Sequence, residues 1–127
     1  MINEGRIRNY LLKAKNDLAE ARLLLSAEYC DGACNRAYYT LFDCLMLLLH
    51  STGGPLPKTH TGTHTEFRKQ FILGGIFDRI YSNTITELFN LRQGGDYEID
   101  FDISLDDAQD AVEKAAEFVR QTEEYLR

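Results

Sequence analysis

The stretch Asp31–His50, DGACNRAYYTLFDCLMLLLH, decides the fold of this chain. Ala33, Ala37, Leu41, Leu45 and Leu48 recur at steps of three and four, which is one face of a helix. Tyr38, Phe42 and Leu49 widen that face until little is left for water. A helix that is apolar nearly all round is a central one, covered by neighbours on several sides. Asp31 is placed to cap its first turn, because its carboxylate can accept an orphan backbone N–H. The polar exceptions carry the functional information. Asn35 and Tyr39 are four apart and therefore surface neighbours, and Arg36, Thr40 and Asp43 run down the adjoining stripe. An Asn-Arg pair early in a buried helix must find partners or face a cleft, since burying such groups unpaired is costly.

Before this helix, Gly5 to Ser26 carries Ile7, Leu11, Ala14, Leu18, Ala21 and Leu25 in alternating steps of four and three, with Lys13, Asn16, Asp17 and Glu20 facing out. The short link Glu28–Gly32 predicts that the two helices are antiparallel. After it, two glycines and two prolines between Ser51 and Pro57 mark an irregular loop. A third helix is expected to begin near Thr63 to Thr65, carrying Phe67, Phe71 and Ile72 inward and stopped by Gly74-Gly75. A fourth is expected over about Asp78 to Gln93, with Ile80, Tyr81, Thr84, Ile85, Leu88 and Leu91 inward; Gly94-Gly95 would end it and leave Arg92 in its last turn. Asp96 to Ile103 alternates acidic and apolar residues and reads as an extended connector, with Tyr97, Ile99, Phe101 and Ile103 lying on the bundle. Ser104, with Asp107 three residues on, caps a fifth helix. Its inward face is expected to be Ala108, Ala111, Val112, Ala115, Phe118, Val119 and Tyr125 or Leu126. The pattern predicts an all-α, up-and-down bundle of about five helices in one domain spanning residues 1–127.

The 127 residues carry 14 Lys and Arg against 20 Asp and Glu, a net charge of −6. That balance argues against a general nucleic-acid binder but leaves room for a local basic cleft. Leu45–Leu49 is too short to span a membrane, and the polar opening Met1-Ile2-Asn3-Glu4 leads straight into a helix, so a cytoplasmic protein is expected. Cys30, Cys34 and Cys44 make no disulfide framework.

No metal or cofactor is expected. His60 and His64 are four apart, the spacing of two ligands on one helical turn, but no Glu follows His60 as in zinc proteases, and Gly62 between them suggests a turn. Asp96, Glu98, Asp100 and Asp102 have the alternate spacing of a calcium loop without its central glycine. Arg92 is the better candidate for chemistry, since a guanidinium near a helix end suits either the macrodipole or a phosphate. Three polar clusters could converge on one face: Asn35-Arg36, Lys58-Thr59-His60, and Arg92 with Asp96-Tyr97.

Those same clusters carry a resemblance. Asn35-Arg36-Ala37-Tyr38-Tyr39-Thr40-Leu41-Phe42, Lys58-Thr59-His60-Thr61-Gly62, and Arg92-x-x-x-Asp96-Tyr97, in that order, resemble the HEPN domain, and more narrowly the small stand-alone HEPN proteins of bacteria and archaea. The resemblance implies a helical bundle, a homodimer and an association with nucleotides or RNA. It also implies a minimal nucleotidyltransferase partner in a toxin–antitoxin-like pair. Ribonuclease members of the family carry an Arg followed four to six residues later by a His. Here Asp96 and Tyr97 stand where that His would fall after Arg92.

Metal-free RNA cleavage needs a group that moves protons and a cation for the phosphorane charge. Arg92 can supply the second, Asp96 is a poor proton shuttle near neutral pH, and His60 could substitute if its loop folds back. The leading expectation is therefore a nucleotide- or RNA-binding module lined by Asn35, Arg36, Tyr39, Lys58, His60, Arg92, Asp96 and Tyr97. The alternatives are a metal-independent ribonuclease, with Arg92, Asp96 and His60 as catalytic candidates, and a non-catalytic dimerisation scaffold. A binding module predicts a convergent cleft of Arg36, His60 and Arg92. A scaffold predicts the same residues tied up in internal ion pairs, with Asp43 or Asp96 as partner.

Overall fold

The computed structural model describes residues 3–127, and its elements are all helical: α1 (Glu4–Ser26), α2 (Cys30–Thr52), α3 (His60–Phe67), α4 (Ile80–Tyr97) and α5 (Leu105–Leu126). Among the described residues there is no strand. Of the opening Met1-Ile2-Asn3-Glu4, the first two residues lie outside the described residues. Among the described residues, no helix is long and apolar enough to cross a membrane.

α2 is the hub, packing against α1, α3, α4 and α5. Ala33, Ala37, Tyr38, Leu41, Leu45, Leu48 and Leu49 are all fully buried along it, as the sequence pattern requires. α1 lays Ala14, Leu18 and Ala21 against it, and α5 contributes Ala108, Ala111, Ala115 and Phe118. A second layer of rings, Phe67, Phe71, Phe77 and Phe118, closes the end of the bundle beneath α3, with centroids 5.2–5.9 Å apart. Such contacts add to the burial of the rings themselves. Ser104 caps α5, accepting from the Asp107 N–H at 3.1 Å.

Several local expectations need correction. α2 begins one residue before Asp31 and has Tyr29 in the cap position with no side-chain cap bond, so Asp31 is an acid of the first turn. There it still faces the positive end of the helix dipole. Asp17, expected to face solvent, is 4% exposed, because its carboxylate reaches across to Arg36 on α2. α3 starts earlier than expected, at His60. The Thr59 side chain accepts the Gly62 N–H at 2.9 Å, so Gly62 lies within a helix and not in a turn. The chain then passes through a π-helical turn, Arg68–Ile72, before Gly74-Gly75. In α4, Ile80 is 60% exposed rather than inward.

The largest correction concerns Gly94-Gly95, which lie inside α4 rather than ending it. The glycines are needed for packing. A β-carbon on Gly94 would stand 2.6 Å from the Phe101 ring, and one on Gly95 would stand 3.0 Å from Ile103. The helix thus gives up side chains where the following segment folds back against it. As a result Asp96 and Tyr97 are helical, and Arg92 lies more than a turn from the helix end. The connector beyond is only partly seated. Ile103 is buried, Phe101 is at the margin, and Tyr97 and Ile99 project into solvent.

Candidate functional site

The running directions of α2 and α4 bring the beginning of one beside the end of the other. Asn35, in the second turn of α2, donates from Nδ2 to Asp96 Oδ2 at 2.8 Å. Arg92, one turn before Asp96 on α4, donates from Nε to the same oxygen at 3.1 Å. Its Nη2 reaches the hydroxyls of Tyr39 at 3.0 Å and Tyr97 at 3.3 Å, and its Nη1 makes a longer bond of 3.4 Å to Gln93 Oε1. The Arg92 guanidinium also lies over the rings of Tyr39 and Tyr97, 5.4 and 5.3 Å from their centroids. This is the range of cation–π attraction. The i,i+4 spacing of Arg92 and Asp96 gives this geometry only because the helix continues through the two glycines.

Arg36 forms the other half of the cluster. Its Nε and Nη2 both donate to Asn35 Oδ1, at 2.9 and 2.7 Å, and its guanidinium lies 5.1 Å from the Tyr39 centroid. Asn35 thus bridges the two arginines, holding Arg36 with its carbonyl while its amide binds the carboxylate that pairs Arg92. Behind it, Arg36 Nη1 pairs with Asp17 Oδ1 at 3.2 Å. Asp17 lies near Asp43, and one oxygen of each carboxyl is buried without a hydrogen-bond partner among the described residues. Burial, then the Asp17 carboxylate beside it, push Asp43 up to about 8, against the weaker opposing pull of Lys13 and Arg36. Asp43 therefore holds its proton well above the ordinary carboxylate range.

His60 reaches the cluster because α3 folds back over α2. Its ring stacks on Phe42 with centroids 4.3 Å apart and meets Tyr39 edge-on at 5.9 Å. The buried Tyr38 hydroxyl lies 2.9 Å from His60 Nδ1 and 2.8 Å from His64 Nε2. Burial, and then the nearby Arg92, hold His60 below the usual imidazole range. Burial, Arg68 and His60 lower His64 to about 4, so both rings are neutral at physiological pH. The two histidines sit one turn apart on α3, but they converge on a hydroxyl. Among the described residues, no group of three or more His, Cys, Asp or Glu is placed to hold a metal ion.

Of the residues expected at the site, Asn35, Arg36, Tyr39, Arg92, Asp96 and Tyr97 form one bonded cluster, and His60 stands at its edge. Lys58 does not join it; it is exposed in the loop before α3 and makes no ion pair among the described residues. Tyr38, His64 and Asp17 belong to the cluster's supporting network and were not expected there. The one sequence signal for them was the polar spacing itself, His60 with His64 and Asp17 on the edge of an apolar stripe. The arrangement offers two guanidiniums, tyrosine hydroxyls and a neutral imidazole, with two carboxylates partly neutralising the cations.

The family model of the HEPN domain matches residues 7–125, and the chain belongs to that family. It is similar to "Putative toxin MJ0142" of Methanocaldococcus jannaschii, 33% identical over 114 residues, which are 90% of this chain and 77% of the relative. It is 31% identical over 114 residues to "Putative toxin MJ0605" of the same organism, covering 90% of this chain and 84% of the relative. A "UPF0332 protein" of Thermotoga maritima is 29% identical over 123 residues, 97% of this chain and 92% of that protein.

Proposed function

We propose that the protein is a HEPN-type nucleotide- or RNA-binding module of the cytoplasm, working with a minimal nucleotidyltransferase in a toxin–antitoxin-like pair. The observation that carries this reading is the convergence of Arg36 and Arg92 on one end of the bundle, roofed by Tyr39 and Tyr97. A guanidinium framed by aromatic rings suits a phosphate beside a base. The toxin names of two relatives support a role of this kind. Asp96, not His, follows Arg92 by four residues, so binding leads over RNA cleavage. A homodimer belongs to the same reading, with Leu12 and Leu23 left exposed on α1 as apolar surface for a second copy. Sedimentation giving a monomer at micromolar concentration would remove the dimer.

The scaffold reading rests on a different observation: each arginine already has a carboxylate, Asp96 for Arg92 and, in place of the expected Asp43, Asp17 for Arg36. Calorimetric titration of AMP and a short RNA into wild type and Arg92→Ala, beside thermal melts, separates the two. Weak, salt-sensitive binding that Arg92→Ala lowers without unfolding the protein supports the module. No binding by wild type, with a large fall in melting temperature for the variant, leaves only a structural pair.

A further inference from the structure

On α1, the twelve residues from Gly5 to Asn16 hold Arg6, Arg8, Lys13 and Lys15 and no carboxylate, in a chain whose net charge is −6. Arg6, Asn9, Tyr10 and Lys13 follow the i, i+3, i+4, i+7 spacing of a single helical face, and together they line an open hollow. Arg6 and Lys13 make no ion pair among the described residues, whereas Lys15 is bound to Glu123. Tyr10 stacks on His50 of α2 with centroids 5.3 Å apart, which holds the aromatic wall in place. Four residues beyond Lys13 on the same face is Asp17, which pairs Arg36. Arg6 and Lys13 thus lead along one face of α1 towards Asp17, whose partner Arg36 is bound through Asn35 to the Arg92 cluster.

We infer that this line is a track for the backbone of a single-stranded RNA, which enters at Arg6, passes Lys13 and ends with a phosphate at Arg36 and Arg92. A line of cations spaced along a helix, with a tyrosine ring beside it, fits a repeating polyanion that also carries stackable bases. A mononucleotide would fill only the far end.

This inference rests on the binding reading above, and the experiment separates the failure of one from the failure of the other. Fluorescence anisotropy of a labelled twelve-nucleotide single-stranded RNA, titrated at several salt concentrations, is compared with AMP titration for wild type and for the double variant Arg6→Gln, Lys13→Gln. Both side chains are exposed, so the variant folds; circular dichroism verifies it. The expected result is tighter binding of the RNA than of AMP by wild type. The variant should weaken RNA binding and lower the slope of log affinity against log salt by about 1.4, at about 0.7 per lost phosphate contact, with AMP binding unchanged. AMP binding with an RNA affinity and salt slope that the double variant leaves intact overturns the track and spares the binding reading. Binding of neither ligand by wild type overturns both. Poly-glutamate of the same length competing as well as unlabelled RNA assigns the track to an acidic protein chain and overturns the RNA assignment.

Discussion

Asn35 and Asp96, 61 residues apart, are joined by a hydrogen bond of 2.8 Å that ties the start of α2 to the end of α4. The acceptor is the same carboxylate oxygen that neutralises Arg92. Asp96→Asn keeps an oxygen able to accept from Asn35 but removes the charge facing the guanidinium. A partly exposed pair of this kind is worth up to about 1 kcal/mol. In the binding reading the variant should therefore bind AMP about fivefold more tightly, with little loss of stability. Unchanged or weaker AMP affinity, measured by calorimetry, would contradict the role given to Asp96 as an internal competitor for phosphate.

The Asp17–Asp43 pair makes stability depend on pH with a defined sign. Asp43 is raised in the folded protein from an ordinary 3.8 to about 8. The folded state thus holds a proton that the unfolded chain has released across that interval. The contribution is fully present below about 3.8 and is lost as pH rises through about 8. Asp43→Asn can donate to Asp17 without needing that proton. Its urea-unfolding free energy should fall less than that of wild type between pH 5 and pH 9, the interval being set by the raised Asp43. Parallel curves for the two proteins would show that the carboxyls do not share a proton.

His64 acts in the opposite direction. Its pKa is lowered to about 4 from 6.5, so the unfolded chain takes up a proton that the folded ring refuses. Stability is full above 6.5 and drains away as pH falls towards 4. Tyr38→Phe removes the hydroxyl that both imidazoles contact and leaves buried ring nitrogens unpaired, at a cost of about 1–3 kcal/mol near neutral pH. Denaturant melts check the cost, and the histidine C–H proton shifts in an NMR pH titration report whether His64 stays neutral to below pH 5.

Gly94→Ala tests why α4 passes through its glycines. In an exposed helix interior the change should stabilise by about 1 kcal/mol. Here the new methyl group meets the Phe101 ring at 2.6 Å, so the connector must move off the helix. A loss of about 1–3 kcal/mol is expected, as for other overpacked positions. Faster amide exchange should be confined to residues 98–103. Added stability would mean that Phe101 is not held against Gly94.

What the sequence revealed and what it concealed divide along physical lines. The burial of α1, α2 and α5 follows from local periodicity, so Leu41, Leu45 and Ala111 could be placed inward from spacing alone, and Ser104 could be read as a cap. Gly94-Gly95 was misread because glycine stops a helix in isolation. The reason for the glycines is Phe101, seven residues further on, which no local rule sees. Asp17 was placed outside because a carboxylate beside a charged stripe is usually solvated; its burial depends on Arg36 of another helix. The convergence of Asn35, Arg36, Arg92 and Asp96 was legible only conditionally, since the sequence leaves α2 and α4 free to run parallel or antiparallel and only the antiparallel arrangement puts those ends together. The meeting of His60 and His64 at Tyr38 was not, because Gly62 concealed the fact that α3 begins at His60.

The Tyr38 hydroxyl has a single hydrogen, and this binds the tautomers of two histidines to each other. When Tyr38 donates to His64 Nε2, His60 must donate from Nδ1, and its Nε2 presents a lone pair. When Tyr38 donates to His60 Nδ1, His64 must donate from Nε2, and His60 presents an N–H instead. Three hydrogens shift together between these two arrangements without any change in net charge. Because His60 Nε2 has no partner among the described residues, an approaching group selects the arrangement by what it offers. A hydroxyl donor at that nitrogen selects the first, and an anionic oxygen selects the second. Either choice is relayed through Tyr38 to a buried ring that the newcomer never touches.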